Sequence, residues 1–215
     1  MKQRYPDFRL HALSPPEVIH ISRLSKVPTA EVLRRLIDAG LNSVPGGGAE
    51  ILVDRVRKLL HCYHKATADQ WLGVMREAHQ QGLRTTATMM YGTVETVEER
   101  LEHMFRLREL QDETGGFTAF IAWSYQPEHT ELGGTEATGV DYLRTLALAR
   151  LVLDNFDNLQ SSWVTQGMKI GQVALGFAVS VPQIASAIVA SAMLELTLTF
   201  ARVLATATPE MSDGT

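Results

Sequence analysis

A chain of 215 residues with a formal net charge of −4 and 45% hydrophobic residues is long enough for one domain with its own core. It carries no basic block of the kind that grips nucleic acid. Its single cysteine, Cys62, excludes an intrachain disulfide framework and fits a reducing compartment such as the cytoplasm, and the opening MKQRYPDFRL holds no apolar stretch of signal-peptide type.

Short apolar runs alternate with helical patterns along the chain. Residues 8–13 read as a strand, closed by the turn Ser14-Pro15-Pro16. Residues 29–39 form an amphipathic pattern that Gly40 ends. Residues 42–44 read as the next strand, and they run into Pro45-Gly46-Gly47-Gly48-Ala49-Glu50. Consecutive glycines free the backbone for positive φ and for close approach to a ligand, and amides in such a turn form an anion-binding nest. Glu50, at the start of a helical pattern, is placed to meet something cationic or rich in hydroxyls. The bland alternative is a tight strand-to-helix turn with no ligand.

His61-Cys62-Tyr63-His64 lacks a second spaced ligand pair and is not read as a metal site. Thr67 and Gln70 have capping-box form and open a helix over residues 68–80, which stops before Gly82. Residues 85–90 read as a strand. Thr96 and Glu99 open a second capped helix that runs to Glu113, ahead of Gly115-Gly116. Asp112 and Glu113 oppose the dipole at that helix end, so structural ion pairs are expected there. Residues 118–123 read as a strand, Thr138 caps a helix over residues 140–154, and residues 160–164 complete the set of five strands. Alternation of this kind implies a parallel sheet, but periodicity does not separate an open sheet from a barrel.

Five longer stretches carry a resemblance. They are HALSPPEVIHISR (11–23), AGLNSVPGGGAEILVDRVR (39–57), GLRTTATMMYG (82–92), LRELQDETGGFTAFIAW (107–123) and SSWVTQG (161–167). Together they resemble the radical S-adenosylmethionine enzymes of the futalosine route to menaquinone, of the cyclic dehypoxanthine futalosine synthase type. The resemblance implies an α/β fold, an incomplete (β/α)8 TIM-type barrel holding strands three to seven over residues 1–175. It implies S-adenosylmethionine and a 4Fe–4S cluster as cofactors, a small nucleoside-like substrate, and ring closure of dehypoxanthine futalosine by a 5′-deoxyadenosyl radical. Aminofutalosine synthase and the deazaflavin-forming 4-hydroxyphenyl transferase share the GGGAE turn and are the near alternatives; a non-catalytic fragment is the distant one. The family holds its cluster with three cysteines in a CxxxCxxC motif. One cysteine cannot take that role, so the chain alone is expected to support no cluster and to be inactive.

In a barrel the C-terminal ends of the strands face the active site. The candidates for cofactor or substrate contact are therefore His11, Ser14, Glu17, Gly46, Gly47, Gly48, Glu50, Tyr91, Trp123, Thr165 and Gln166, with no metal ligand among them. For Ser14 the plain alternative is a helix cap, and for His11 a satisfied histidine inside the barrel. An incomplete barrel leaves two open edges, which invite self-association.

From residue 176 to 215 the chain turns to Ala, Val, Ser and Thr, with no charge between Ile170 and Leu194. The abrupt change reads as a frameshift or a gene-model error. A divergent buried helix capped near Ser180, with Pro182 in its first turn, is the second reading. A membrane span is the third, and Gln172, Pro182 and Gln183 argue against it.

Overall fold

In a computed structural model of the protein, residue 2 and residues 4–177 are described. Five parallel strands are β1 (Leu10–His11), β2 (Leu41–Val44), β3 (Arg84–Tyr91), β4 (Phe117–Ser124) and β5 (Leu159–Ser161). They pair in the order β1-β2-β3-β4-β5. A doubly wound sheet reverses its order at a switch point, whereas this order never reverses. It is the winding of a barrel, left incomplete, as the family resemblance implies.

The helices are α1 (Pro15–Ser25), α2 (Thr29–Asp38), α3 (Asp54–Leu59), α4 (Ala68–Gln80), α5 (Val97–Thr114), α6 (Gly139–Val152) and α7 (Trp163–Leu175). Strand alternation divides the sheet into two faces. Ala87, Met89, Tyr91, Phe120, Ala122 and Leu159 share one face and join the helices in a continuous core. Thr86, Met90, Ile121, Trp123 and Gln160 share the other and stay partly exposed. That second face is the interior of the incomplete barrel.

The caps form as the sequence implies. Thr67 accepts from the Gln70 amide, Thr96 from that of Glu99 and Thr138 from that of Asp141, each as a capping box. The carboxylates at the end of α5 are ion-paired, Glu113 with Arg76 at 2.7 Å and Asp112 with Arg108 at 3.5 Å.

The differences are local. The expected strand over 8–13 shrinks to two residues. The Asn42 side chain takes the Leu10 amide, Leu13 turns to φ 63°, and Pro15 starts α1. The strand expected over 160–164 stops at Ser161, because the Tyr142 hydroxyl accepts the Ser162 amide at 2.7 Å and α7 begins. Glu50 does not open a helix: it sits at φ 41°, and α3 starts at Asp54. Gly167, at φ 79° and ψ 158°, breaks α7 after its first turn. The apolar tail lies outside the described residues except for Gly176 and Phe177. Among the described residues no helix is long and apolar enough to cross a membrane.

The bottom of the β3–β4 layer is locked by His79. Thr114 donates its hydroxyl to Leu110 O, so it accepts from His79 Nδ1 at 2.7 Å. Nε2 is then the acceptor for Thr85 Oγ1, also at 2.7 Å. The ring stands edge-on to Phe117. Gly116 passes directly beside it, and a Cβ there would lie 2.1 Å from His79 Cγ. Gly116→Ala is therefore expected to cost about 2–3 kcal/mol through overpacking. Urea unfolding measures this, and a loss below about 0.5 kcal/mol would show that the ring gives way.

Candidate functional site

The site is built on the turn that leaves β2. Gly46 donates its amide to Thr86 Oγ1 at 3.0 Å and accepts from the Thr88 hydroxyl. It lies so close to β3 that a Cβ would sit 2.6 Å from Thr86 O. Gly48 takes φ +75° and leaves room for the Pro16 ring, which a Cβ would approach to 2.4 Å.

The carbonyls of the turn are held from behind. Trp71 Nε1 donates to Gly47 O at 3.1 Å. Arg57, fully buried, donates Nη2 to Gly48 O at 3.1 Å, Nη1 to Ala49 O at 2.5 Å and Nε to Ala66 O at 2.9 Å. The Met90 amide donates to Glu50 O at 3.0 Å. Leu52 gives its amide to His103 Nδ1 at 2.9 Å and receives Arg106 Nη1 on its carbonyl at 2.7 Å.

A trans peptide points its carbonyl and the following amide in opposite directions. The amides of Gly48, Ala49 and Glu50 therefore point away from Trp71 and Arg57. Among the described residues, the amides of Gly47, Gly48 and Ala49 donate to no group of the chain. Unpaired backbone donors in a half-buried turn are rare and call for a partner.

Glu50 adds the opposite charge. Its Oε2 is buried without a hydrogen-bond partner. Burial pushes its carboxyl above the ordinary value; Arg57, Lys65 and its own backbone amide pull the other way more weakly. Its left-handed φ of 41° is strained for a residue with a side chain. Free amides and a buried carboxylate thus stand on consecutive residues.

The other candidates divide. Ser14 and Glu17 are engaged with each other: Glu17 Oε2 accepts the Ser14 amide at 2.8 Å and its hydroxyl at 2.6 Å. They cap α1 and support the turn from below, since Ser14 Cβ is 3.4 Å from a Cβ position on Gly47. His11 is in register with Ser43, and Ser43 with Arg84, the first residue of β3. It is the last residue of β1, at the C-terminal end of its own short strand, and lies level with the start of β3. Ser43 donates to Arg84 O at 2.7 Å, so His11 Nδ1 is the donor to Ser43 Oγ at 2.9 Å. Desolvation lowers the His11 pKa.

Tyr91 lies on the helix-packed face, fully buried, with the Arg100 guanidinium 4.6 Å above its ring. That position corrects the expectation that it faces a ligand. Trp123, in register with Met90, is partly exposed on the interior face at the end of β4. Gln166 donates to Ser124 Oγ at 2.6 Å, and Thr165 is bonded to Ser162 Oγ at 2.9 Å. Gln126 also donates to Ser124 Oγ, at 3.1 Å. Glu50 thus follows β2, Trp123 lies at the end of β4, and Thr165 and Gln166 follow β5.

Sequence reading missed Arg57, Trp71, His103 and Arg106. They act on the turn from helices, His103 from 51 residues away, and nothing in the local pattern marks them.

A 4Fe–4S cluster does not fit these residues. Cys62 is buried with its thiol on Arg57 O at 3.5 Å, and burial raises its pKa. Among the described residues no group of three or more His, Cys, Asp or Glu is arranged to hold a metal.

The raised pKa of Glu50 has a definite sign in stability. The native state holds the proton more tightly than the unfolded chain, so ionised Glu50 costs stability above its ordinary value of 4.5. Glu50→Gln is expected to melt higher than the parent at pH 7, the gap closing as pH falls below 4.5. Calorimetry at pH 7 and pH 4 checks it, and a variant that melts lower at pH 7 would mark Glu50 as a structural cap.

Two family patterns match the chain. The radical SAM superfamily matches residues 3–107, and the CofH/MqnC C-terminal region matches residues 114–197. Aminodeoxyfutalosine synthase of Thermus thermophilus is 46% identical over 185 residues, 84% of this chain and 50% of that protein. Cyclic dehypoxanthine futalosine synthase of Streptomyces coelicolor is 45% identical over 178 residues, 82% of this chain and 44% of that protein. A 5-amino-6-(D-ribitylamino)uracil–L-tyrosine 4-hydroxyphenyl transferase of Methanosarcina acetivorans is 44% identical over 183 residues, 81% of this chain and 48% of that protein. The chain spans about half the length of these curated relatives. Over the stretch it shares with them, the chain belongs to the radical S-adenosylmethionine enzymes of the CofH/MqnC type.

Proposed function

We propose that the turn after β2 binds S-adenosylmethionine by its amino-acid end, in a protein that serves the cyclic dehypoxanthine futalosine synthase reaction. The observation that carries this is the pairing of free amides at Gly47, Gly48 and Ala49 with the buried, unpartnered Oε2 of Glu50. The ligand's carboxylate and ammonium form the complementary pair. Its sulfonium adds a second cation that favours the same carboxylate.

When bound, S-adenosylmethionine supplies a 5′-deoxyadenosyl group for radical chemistry. The cluster that would act on it needs ligands outside this sequence, since Cys62 cannot provide them. This chain's contribution is to hold and orient. Gly46 lets the turn lie against β3, Trp123 offers an apolar ring at the end of β4, and Gln126 and Gln166 present amide groups beside Ser124 for a hydroxyl-rich nucleoside. A reducing cytoplasm is the matching compartment. The aminodeoxyfutalosine synthase reaction is the second reading, since that relative and a cyclic dehypoxanthine futalosine synthase are both 46% identical to the chain.

Isothermal titration of the chain with S-adenosylmethionine tests the site. Binding is expected, and Glu50→Gln is expected to weaken it at least tenfold, about 1.4 kcal/mol. Binding that is indifferent to this substitution would remove Glu50 from the site. Among the described residues the outer edges of β1 and β5 pair with no strand, which makes self-association part of the same reading. Sedimentation over a range of concentrations is expected to show oligomers; a monomer throughout would overturn it.

A further inference from the structure

We infer that Arg57 is a positioning residue for this site: by holding Gly48 O and Ala49 O it sets which way the peptide groups next to Glu50 face. The inference rests on the reading of the turn as a ligand site and names the group that arms it.

The geometry is specific. Arg57 is fully buried on α3, and each of its three nitrogens meets a main-chain carbonyl. Two belong to Gly48 and Ala49, inside the turn, and the third to Ala66, in the connection leading to α4. Its planar fork makes three directed bonds from one rigid group, which a lysine ammonium on a flexible stem does not reproduce. Holding Gly48 O and Ala49 O on the α3 side forces the amides of Ala49 and Glu50 to the other side. If these carbonyls were released, the peptides of a glycine run would be free to flip and would present oxygen to an incoming carboxylate.

The charge acts separately from the shape. No carboxylate is ion-paired with Arg57 among the described residues, and its hydrogen bonds all go to neutral carbonyls. Its positive charge is therefore felt by neighbours. Arg57 and Lys65 favour the ionised form of Glu50. His103, on α5, is fully buried and stays neutral to about pH 3, through burial first and the Arg57 charge second. It adds no charge to the balance at Glu50. Arg57 thus offsets part of the desolvation that works against the Glu50 carboxylate.

Two substitutions in the full chain separate shape from charge. Arg57→Lys keeps a positive charge and loses the fork; Arg57→Met loses both. In ligand-free protein, the Glu50 titration midpoint is read by carbon NMR of labelled glutamate, and the Gly47, Gly48 and Ala49 amides by their shifts and solvent exchange. Arg57→Met is expected to raise the Glu50 midpoint and disturb the amides. Arg57→Lys is expected to disturb the amides with the midpoint nearly unmoved. S-adenosylmethionine affinity at pH 7 is expected to fall at least about tenfold in both, and raising the pH is expected to restore part of it in Arg57→Met only. A lowered melting temperature in both variants, with the Glu50 midpoint and turn amides as in the parent, would overturn the inference. If the parent binds no S-adenosylmethionine, the ligand reading fails by itself, and the ligand-free NMR still decides the role of Arg57.

Discussion

Everything in this molecule follows from a sheet wound in one direction. Because the strand order never reverses, the described helices pack against one face of the sheet and leave residues such as Thr86, Met90 and Trp123 on the other partly exposed. The covered face supplies the hydrophobic stabilisation, with Trp71, Met89, Phe117, Phe120 and Phe156 fully or almost fully buried. The uncovered face is free to carry chemistry. The β3–β4 pairing is the most extensive of the four strand pairings and fixes the vertical scale of the site. Against it, Gly46, Glu50, Met90 and Trp123 take their heights.

Much of this was legible in the sequence. The capped helices announce themselves because a cap is local: Thr67 with Gln70 and Thr96 with Glu99 satisfy each other within one turn. The strands at 84–91 and 117–124 show in their β-branched and aromatic runs. The ends of short strands were not legible. Where β1 begins depends on Asn42, which takes the Leu10 amide, and where β5 ends depends on Tyr142, which takes that of Ser162, partners 20 or more residues away. Glu50 illustrates the same limit. Its place after three glycines suggests a helix start, but Leu52 is held from both sides by α5, which keeps the segment irregular until Asp54.

The site residues follow the same division. The glycines and Glu50 are visible as a motif. Tyr91 is equally visible and yet points into the helices, since alternation along β3 assigns its face and sequence alone gives no phase for that alternation. His11 ends β1 as its strand position suggests, but its level against Ser43 and Arg84 is a tertiary fact that local pattern does not carry. The polar cluster of Ser124, Gln126 and Gln166 joins two strand ends and reads as unremarkable loop chemistry until the strands are set side by side.

The three glycines of the turn are constrained by different neighbours, and their freedom to vary differs accordingly. Gly46 faces the main chain of β3, which cannot step aside for even a methyl group. Gly48 combines a left-handed backbone with the rigid ring of Pro16. Gly47 meets only the Ser14 side chain, at an ordinary van der Waals separation of 3.4 Å and 4.0 Å from its two atoms. The triplet is therefore pinned at both ends and tolerant in the middle. Drift within this lineage has a single narrow opening at Gly47, where a small residue enters without moving the backbone that the two flanking glycines make possible.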